Sequence, residues 1–210
     1  MKKKNIILIR GVLDRSKNFD MLKKNFEKSF VFYDYKPRYA SSAIEQISDD
    51  LKEFIRSNHL KDYDLITHSM GGIIARYFLA TNKIEKKKVV MIAVPNNGSS
   101  LLKATIKKVP LASRVLGKAP LEFTKNKNRI LKHPKKCQYC VILGTKSFEW
   151  RRIESYVSPL LWDRNDSDGK VKIKEGRYKK EKIHLVDGYH SFLAEHPDTI
   201  KITKEFLTQS

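Results

Sequence analysis

Three residues of this chain, each placed beyond an apolar run, have the types needed for nucleophilic chemistry: Ser69, Asp168 and His190. Tyr63, Leu65 and Ile66 lead into the tight run Thr67, His68, Ser69, Met70, Gly71, and Ile73, Ile74, Tyr77 and Phe78 leave it at spacings of three and four. The pattern reads as strand, sharp turn and helix. A serine at the apex of such a turn has its hydroxyl lifted clear of the backbone. Gly71 and Gly72 are small enough to let strand and helix pass closely, and the helix start aims its N–H groups at the spot where an oxyanion would form. A serine hydroxyl is a poor nucleophile at neutral pH. It needs a base to take its proton and a carboxylate to hold that base in the right tautomer.

In an open α/β sheet such groups gather beyond the C-terminal ends of the strands. Six histidines are available. His68 lies inside the turn beside Ser69 and cannot fold back as its base, and His59 precedes the turn. His133 has no strand before it, His184 is within a strand, and His196 stands before Pro197 in the closing helical region. His190 follows the strand-like Lys182–Val186 through Asp187, Gly188 and Tyr189 and precedes a helix, which is the place for a base. Candidate acids crowd together in the loop DRNDSDGKV, at Asp163, Asp166 and Asp168. Asp168 is favoured because Gly169 permits a sharp turn toward the histidine. Asp166 is the alternative. The same loop mimics a calcium loop, but Arg164 stands where the first carboxylate is required. No cofactor or metal is called for.

The elements that must hold these residues alternate. Strands are expected at Asn5–Arg10, Val31–Tyr35, the run before Ser69, Val89–Val94, Tyr139–Thr145 and Lys182–Val186, with a short one at Val171–Ile173. Helices are expected over Asn18–Phe30, from a capping box at Ser42–Glu45 to about Ser57, after Ser69, and over Ser191–Leu207 with a break at Pro197 and Asp198. The order β, α, β, α predicts a mostly parallel central sheet flanked by helices in one domain spanning residues 1–210. Residues 99–136 and 146–162 lack this regularity. Leu101, Leu102, Ile106 and Val109 could line a basic amphipathic helix, and Phe148, Trp150, Tyr156 and Trp162 enrich the second segment. These two segments are the candidates for a minimal lid or an acyl pocket.

The 210 residues carry 43 basic and 23 acidic side chains, a net charge of +20. That field favours anionic surfaces, so peripheral contact with an anionic membrane is one expectation. Nucleic acid is disfavoured, because the lysines are spread and no binding signature accompanies them. The N-terminus is basic and then apolar, but Arg10 interrupts a stretch too short for a signal peptide. No run reaches the ~20 apolar residues of a membrane span. A cytoplasmic protein is expected, with Cys137 and Cys140 as reduced, partly buried thiols near the start of a strand.

Four segments together resemble the lipase-like α/β hydrolases, above all small bacterial lipases and esterases, and deacylases of lipidated molecules. They are LIRGV at Leu8–Val12, THSMGGIIARYFLA at Thr67–Ala80, VPNNGS at Val94–Ser99, and SDGKV with GYHSFL at Ser167–Val171 and Gly188–Leu193. In that family the order is serine, acid, histidine. The resemblance implies an α/β-hydrolase fold, Ser69, Asp168 and His190 as a catalytic triad, and the backbone N–H groups of Val12 and Met70 as oxyanion donors. It implies hydrolysis of carboxylic esters, of acyl-lipid or similar small acyl substrates, through an acyl-enzyme. Acyl transfer and thioester cleavage by the same machinery are alternatives. From other classes come an inactive hydrolase fold used for binding and a basic binder of nucleic acid or membrane. Two positions depart from the family pattern. Thr67 replaces the first glycine of the turn, and Arg10 replaces a histidine before Gly11, a change that could alter substrate polarity while leaving the backbone oxyanion donor in place.

Overall fold

The computed structural model describes residues 3–12, 19–109, 116–151, 156 and 166–209. Six strands form one sheet: β1 Lys4–Ile9, β2 Phe30–Tyr35, β3 Tyr63–His68, β4 Lys88–Ile92, β5 Gln138–Gly144 and β6 Ile183–Val186. Among the described residues every pairing within this sheet is parallel, in the order β2-β1-β3-β4-β5-β6. Parallel strands with helices on both faces must be apolar on both faces, and β1 shows it. Ile6 and Leu8 join one core cluster, while Ile7 and Ile9 join the other. Each such buried side chain contributes about 1.5–3 kcal/mol.

The helices divide between those faces. α2 (Ile44–Ser57) and α3 (Met70–Thr81) cover one side with Ile44, Ile47, Leu51, Ile73 and Phe78. α1 (Asp20–Phe26) and the C-terminal helix cover the other with Leu22, Phe26, Ile200 and Leu207. The chain lays down β2 on one side of β1 and then returns to place β3 on the other. The crevice beyond the carboxyl ends of β1 and β3 is therefore the topological switch point, where ligands bind in open α/β sheets. Register makes this concrete: Ile9 pairs with Thr67, so Gly11 comes up beside Ser69.

Several elements differ from the sequence expectation. The segment after β4 holds α4 (Ser100–Lys108), α5 (Lys118–Lys125) and the short turn α6 (Lys127–Ile130). Leu101, Leu102 and Ile106 are half-buried, as an amphipathic helix requires. α5 is more deeply set: Ala119, Phe123 and the following Ile130 belong to the main core. Part of residues 99–136 therefore packs into the main core. Of the second candidate lid segment, residues 152–155 and 157–162 lie outside the described residues, as do Asp163 and Arg164.

The strand expected at Val171–Ile173 is replaced. Ser167 and Lys172 form a single antiparallel bridge, and Ile173–Gly176 is a helical turn, α7. The alternation Val-Lys-Ile is too short to pair along an edge, and the Glu175 carboxylate accepts the Lys172 N–H at 3.2 Å to start the turn instead. The capping box expected at Ser42–Glu45 does not form: the N-cap residue of α2 is Ala43, whose methyl cannot accept a hydrogen bond, and only Gln46 Oε1 reaches back to accept the Ala43 N–H at 2.9 Å. Its other leading amide, Ile44 N–H, donates to Glu122 of α5 at 2.8 Å. α1 is shorter than the pattern Asn18–Phe30, and Asn18 lies outside the described residues. The closing helical region is split where expected, into a 3-10 helix at His190–Glu195 and α8 at Pro197–Thr208. Among the described residues no helix is long and apolar enough to cross a membrane.

Candidate active site

The turn at Ser69 is sharp because its backbone leaves the ordinary regions. Ser69 has φ 52° and ψ −127°, a conformation costing of order 1–3 kcal/mol for a residue with a side chain. Two observations show what holds it there. The Ser69 N–H donates to Ile92 O at 2.9 Å, tying the turn to β4. Gly71 and Gly72 let α3 start against the sheet: a Cβ on Gly71 would stand 2.2 Å from Ile9 O, and one on Gly72 would stand 2.3 Å from a methyl of Val94. Those two glycines carry the close approach. Thr67 is buried in β3 with its hydroxyl donating to Val90 O at 2.9 Å, so a branched side chain is accommodated at the position where the family pattern has glycine.

His190 meets this turn from the loop after β6. Its Nε2 lies 3.1 Å from Ser69 Oγ, and its Nδ1 lies 2.9 Å from Asp168 Oδ2. A carboxylate can only accept, so Nδ1 carries the proton and Nε2 is left to accept from the serine hydroxyl. The other carboxylate oxygen, Oδ1, accepts the N–H groups of Lys170 at 3.0 Å and Val171 at 2.8 Å. Gly169, at φ 91°, supplies the reversal that folds those amides back onto the acid. His190 and Asp168 are buried, whereas Ser69 remains partly open to solvent. Burial lowers the pKa of His190 below the usual 6.5 for histidine, and the negative charge of Asp168 only partly opposes this. The imidazole is therefore neutral at pH 7.

The structure brings Ser69, Asp168 and His190 together, although serine and histidine lie 121 positions apart in the chain. Asp166, the alternative acid, is exposed at φ 53°, and its carbonyl accepts the Ile173 N–H. His196 caps α8, His184 lies in β6, and His133 packs on the Tyr178 ring at 5.7 Å. Beside the serine, a Cβ on Gly11 would stand 2.8 Å from Ser69 Cβ. The backbone of the first loop therefore passes directly over the nucleophile position. Met70 opens α3, whose first amides have no partner within the helix.

Arg10 is buried and makes a two-toothed hydrogen bond to Asp34 at 2.8 and 2.5 Å, with its guanidinium over the Phe19 ring. Asp34 is pushed up by burial, but the Arg10 and Lys23 hydrogen bonds outweigh that and hold its carboxyl below the usual range. The side chain expected to tune polarity near the substrate is thus engaged in clamping β2 to the loop that carries Gly11. Cys137 and Cys140 are free thiols, Cys140 buried in β5, where burial pushes its pKa up to about 12.

The protein has the α/β-hydrolase fold and is related in fold to lipases and esterases. Within it, residues 12–109 match the family of PGAP1-like alpha/beta domains. The mature form of the Bacillus licheniformis lipase BlEst2 superposes with a TM-score of 0.77 at 16% identity, over 99% of this chain and 93% of that one. A structure from work on carboxylesterases of the ammonia-oxidizing thaumarchaeon Nitrososphaera gargenis gives 0.60 at 15% identity, over 98% and 90%. A 1H-3-hydroxy-4-oxoquinoline 2,4-dioxygenase gives 0.64 at 12% identity, over 98% and 92%. No curated protein matches the sequence. Neighbours this distant establish the fold, and one of them performs a different reaction. A fold shared at this distance does not fix a reaction; the residues of the site do.

Proposed function

We propose that the protein is a serine hydrolase of carboxylic esters, acting on acyl-lipid or similar acyl substrates through an acyl-enzyme on Ser69. The observation that carries this reading is the hydrogen-bonded relay from Ser69 Oγ through His190 to Asp168, with a buried, neutral imidazole in its middle. Ser69 Oγ attacks the acyl carbonyl carbon while its proton passes to His190 Nε2. The imidazolium that forms is stabilised by Asp168, which stays ionised. The carbonyl oxygen becomes an oxyanion that accepts hydrogen bonds from the N–H groups of Met70 and Val12. Each such donor is worth on the order of 3 kcal/mol in the transition state. Collapse expels the alcohol, which takes the proton from Nε2. Water then attacks the acyl-enzyme by the same path, and Ser69 regains its hydrogen.

The placement of Gly11 over Ser69 supports Val12 as the second donor, and the position of Met70 at the start of α3 supports it as the first. The test is labelling with a fluorophosphonate together with hydrolysis of short- and medium-chain nitrophenyl esters. Wild type is expected to label and to hydrolyse, while Ser69→Ala and His190→Ala fall silent. Full activity in Ser69→Ala overturns the mechanism.

A further inference from the structure

We infer that His68, the residue before the serine, is a positioning residue that holds the base by its main chain. The inference rests on the reading of Ser69 and His190 as nucleophile and base. His68 is buried, and its Nε2 lies 3.0 Å from the carbonyl oxygen of His190. A carbonyl only accepts, so Nε2 carries the proton and donates. The two imidazole rings lie with centroids 4.9 Å apart. On its other side, the His190 N–H donates to Asp168 O at 2.8 Å. The peptide groups flanking the His190 Cα are thereby fixed from two directions. The acid loop holds one, and the last residue of β3 holds the other.

The backbone of His68 has no need of this bond for its own placement, because His68 already pairs with Ile92 in the sheet. What the imidazole adds is a link between the serine turn and the histidine loop, which are 122 residues apart in the chain. That link acts at the step where distance matters most. A catalytic group misplaced by about 1 Å loses on the order of 100-fold in rate. Ser69 and His190 themselves are tied by the 3.1 Å hydrogen bond that the reaction must break and remake. The His68 bond holds the base loop in register with the serine while that proton is away.

A donor at the Nε2 position is the requirement, and the amide nitrogen of glutamine can take that place whereas leucine cannot. His68→Leu is expected to lower kcat and the rate of fluorophosphonate labelling by about 10- to 100-fold, with KM within about twofold of wild type. His68→Gln is expected to recover most of the loss. A folded His68→Leu enzyme with wild-type kcat overturns the inference, and so does a His68→Gln enzyme as slow as the leucine variant. If the leucine variant does not fold, His68→Asn replaces it, since its shorter amide falls short of the carbonyl. The asparagine enzyme is expected to be slow, and wild-type speed in it counts against the role. Ser69→Ala, measured in parallel, separates the two readings. Activity retained there overturns the nucleophile assignment. Silence there combined with an unaffected His68→Leu overturns the role of His68 alone.

Discussion

Gly144 lies directly under Asp168: the Cβ it lacks would stand 2.7 Å from the Cβ of Asp168 and 2.3 Å from the carbonyl oxygen of Gly188. Gly144 is the last residue of β5, and it pairs with Val186 of β6. The acid loop and the histidine loop converge over this one backbone position. Their spacing, and with it the 2.9 Å bond between Asp168 and His190, is set by the absence of a side chain there. Gly144→Ala must push one loop away, and a backbone carbonyl cannot swing aside as a flexible side chain can. We expect kcat to fall at least about 10-fold, with about 1–3 kcal/mol lost in stability. Denaturation and ester hydrolysis measured on the same preparation check both. An alanine variant with unchanged kcat counts against this account.

The two aspartates of the acid loop are expected to behave differently. Asp168→Asn removes the charge that stabilises the imidazolium and favours the wrong tautomer, so kcat falls by about 10⁴. Asp166 is exposed at φ 53°, a conformation asparagine tolerates well. Asp166→Asn is expected to stay within about twofold of wild type. Equal losses in the two variants would mean that the acid assignment is wrong.

The pH dependence follows from the burial of His190. Only the neutral imidazole accepts the serine proton, so kcat/KM rises with pH through the pKa of this group in the free enzyme. Burial lowers that pKa, with Asp168 opposing, and the net direction is down from 6.5. The inflection is expected below pH 6.5, with a plateau from pH 7 upward. In Asp168→Asn the opposing charge is gone, so the residual activity is expected to inflect lower still. A wild-type inflection above 6.5 would contradict the burial argument.

The first loop offers a test of the oxyanion position. A methyl at Gly11→Ala would sit 2.8 Å from Ser69 Cβ, 3.2 Å from His68 O and 3.4 Å from Ser69 Oγ. The loop must lift, and with it the Val12 N–H that the proposed mechanism assigns to the oxyanion. Loss of one such donor corresponds to about 100-fold or more in kcat. Slow fluorophosphonate labelling with a native thermal transition is the expected result.

Arg10 and Asp34 make a prediction about stability. Asp34→Ala leaves the buried guanidinium without its two-toothed partner, which costs about 3 kcal/mol for a pair of this kind. For a chain of this size, about 2–4 °C of Tm is lost per kcal/mol. The double variant Arg10→Met with Asp34→Leu removes both charges and is expected to be milder than Asp34→Ala alone. Thermal melts of the three proteins decide it.

Much of this was legible in the chain because it is written in local spacing. The apolar runs of β1, β3 and β4 and the threefold and fourfold spacing after Ser69 are short-range signals of burial on a parallel sheet. Serine, histidine and acid loop could each be placed after its strand. The N-cap of α2 falls one residue beyond the expected Ser42, at Ala43, because Gln46 rather than Glu45 reaches back to the leading amide. The strand expected at Val171–Ile173 failed because three alternating residues cannot tell a strand edge from a turn that a buried carboxylate will cap.

By itself, the sequence determined the strand order along the chain, the strand-turn-helix around Ser69 and the candidate partners Asp168, Asp166 and His190. Only the tertiary structure decided which aspartate carboxylate faces the imidazole, that Arg10 is spent on Asp34, that Phe123 and Ile130 are core, and that His68 holds the carbonyl of His190. The division has one physical cause. Periodicity and turn chemistry act over a few residues and leave a trace in the order of amino acids. Distances of 3 Å between residues more than a hundred positions apart depend on strand register and on where a Cβ is missing, and these exist only once the sheet has formed.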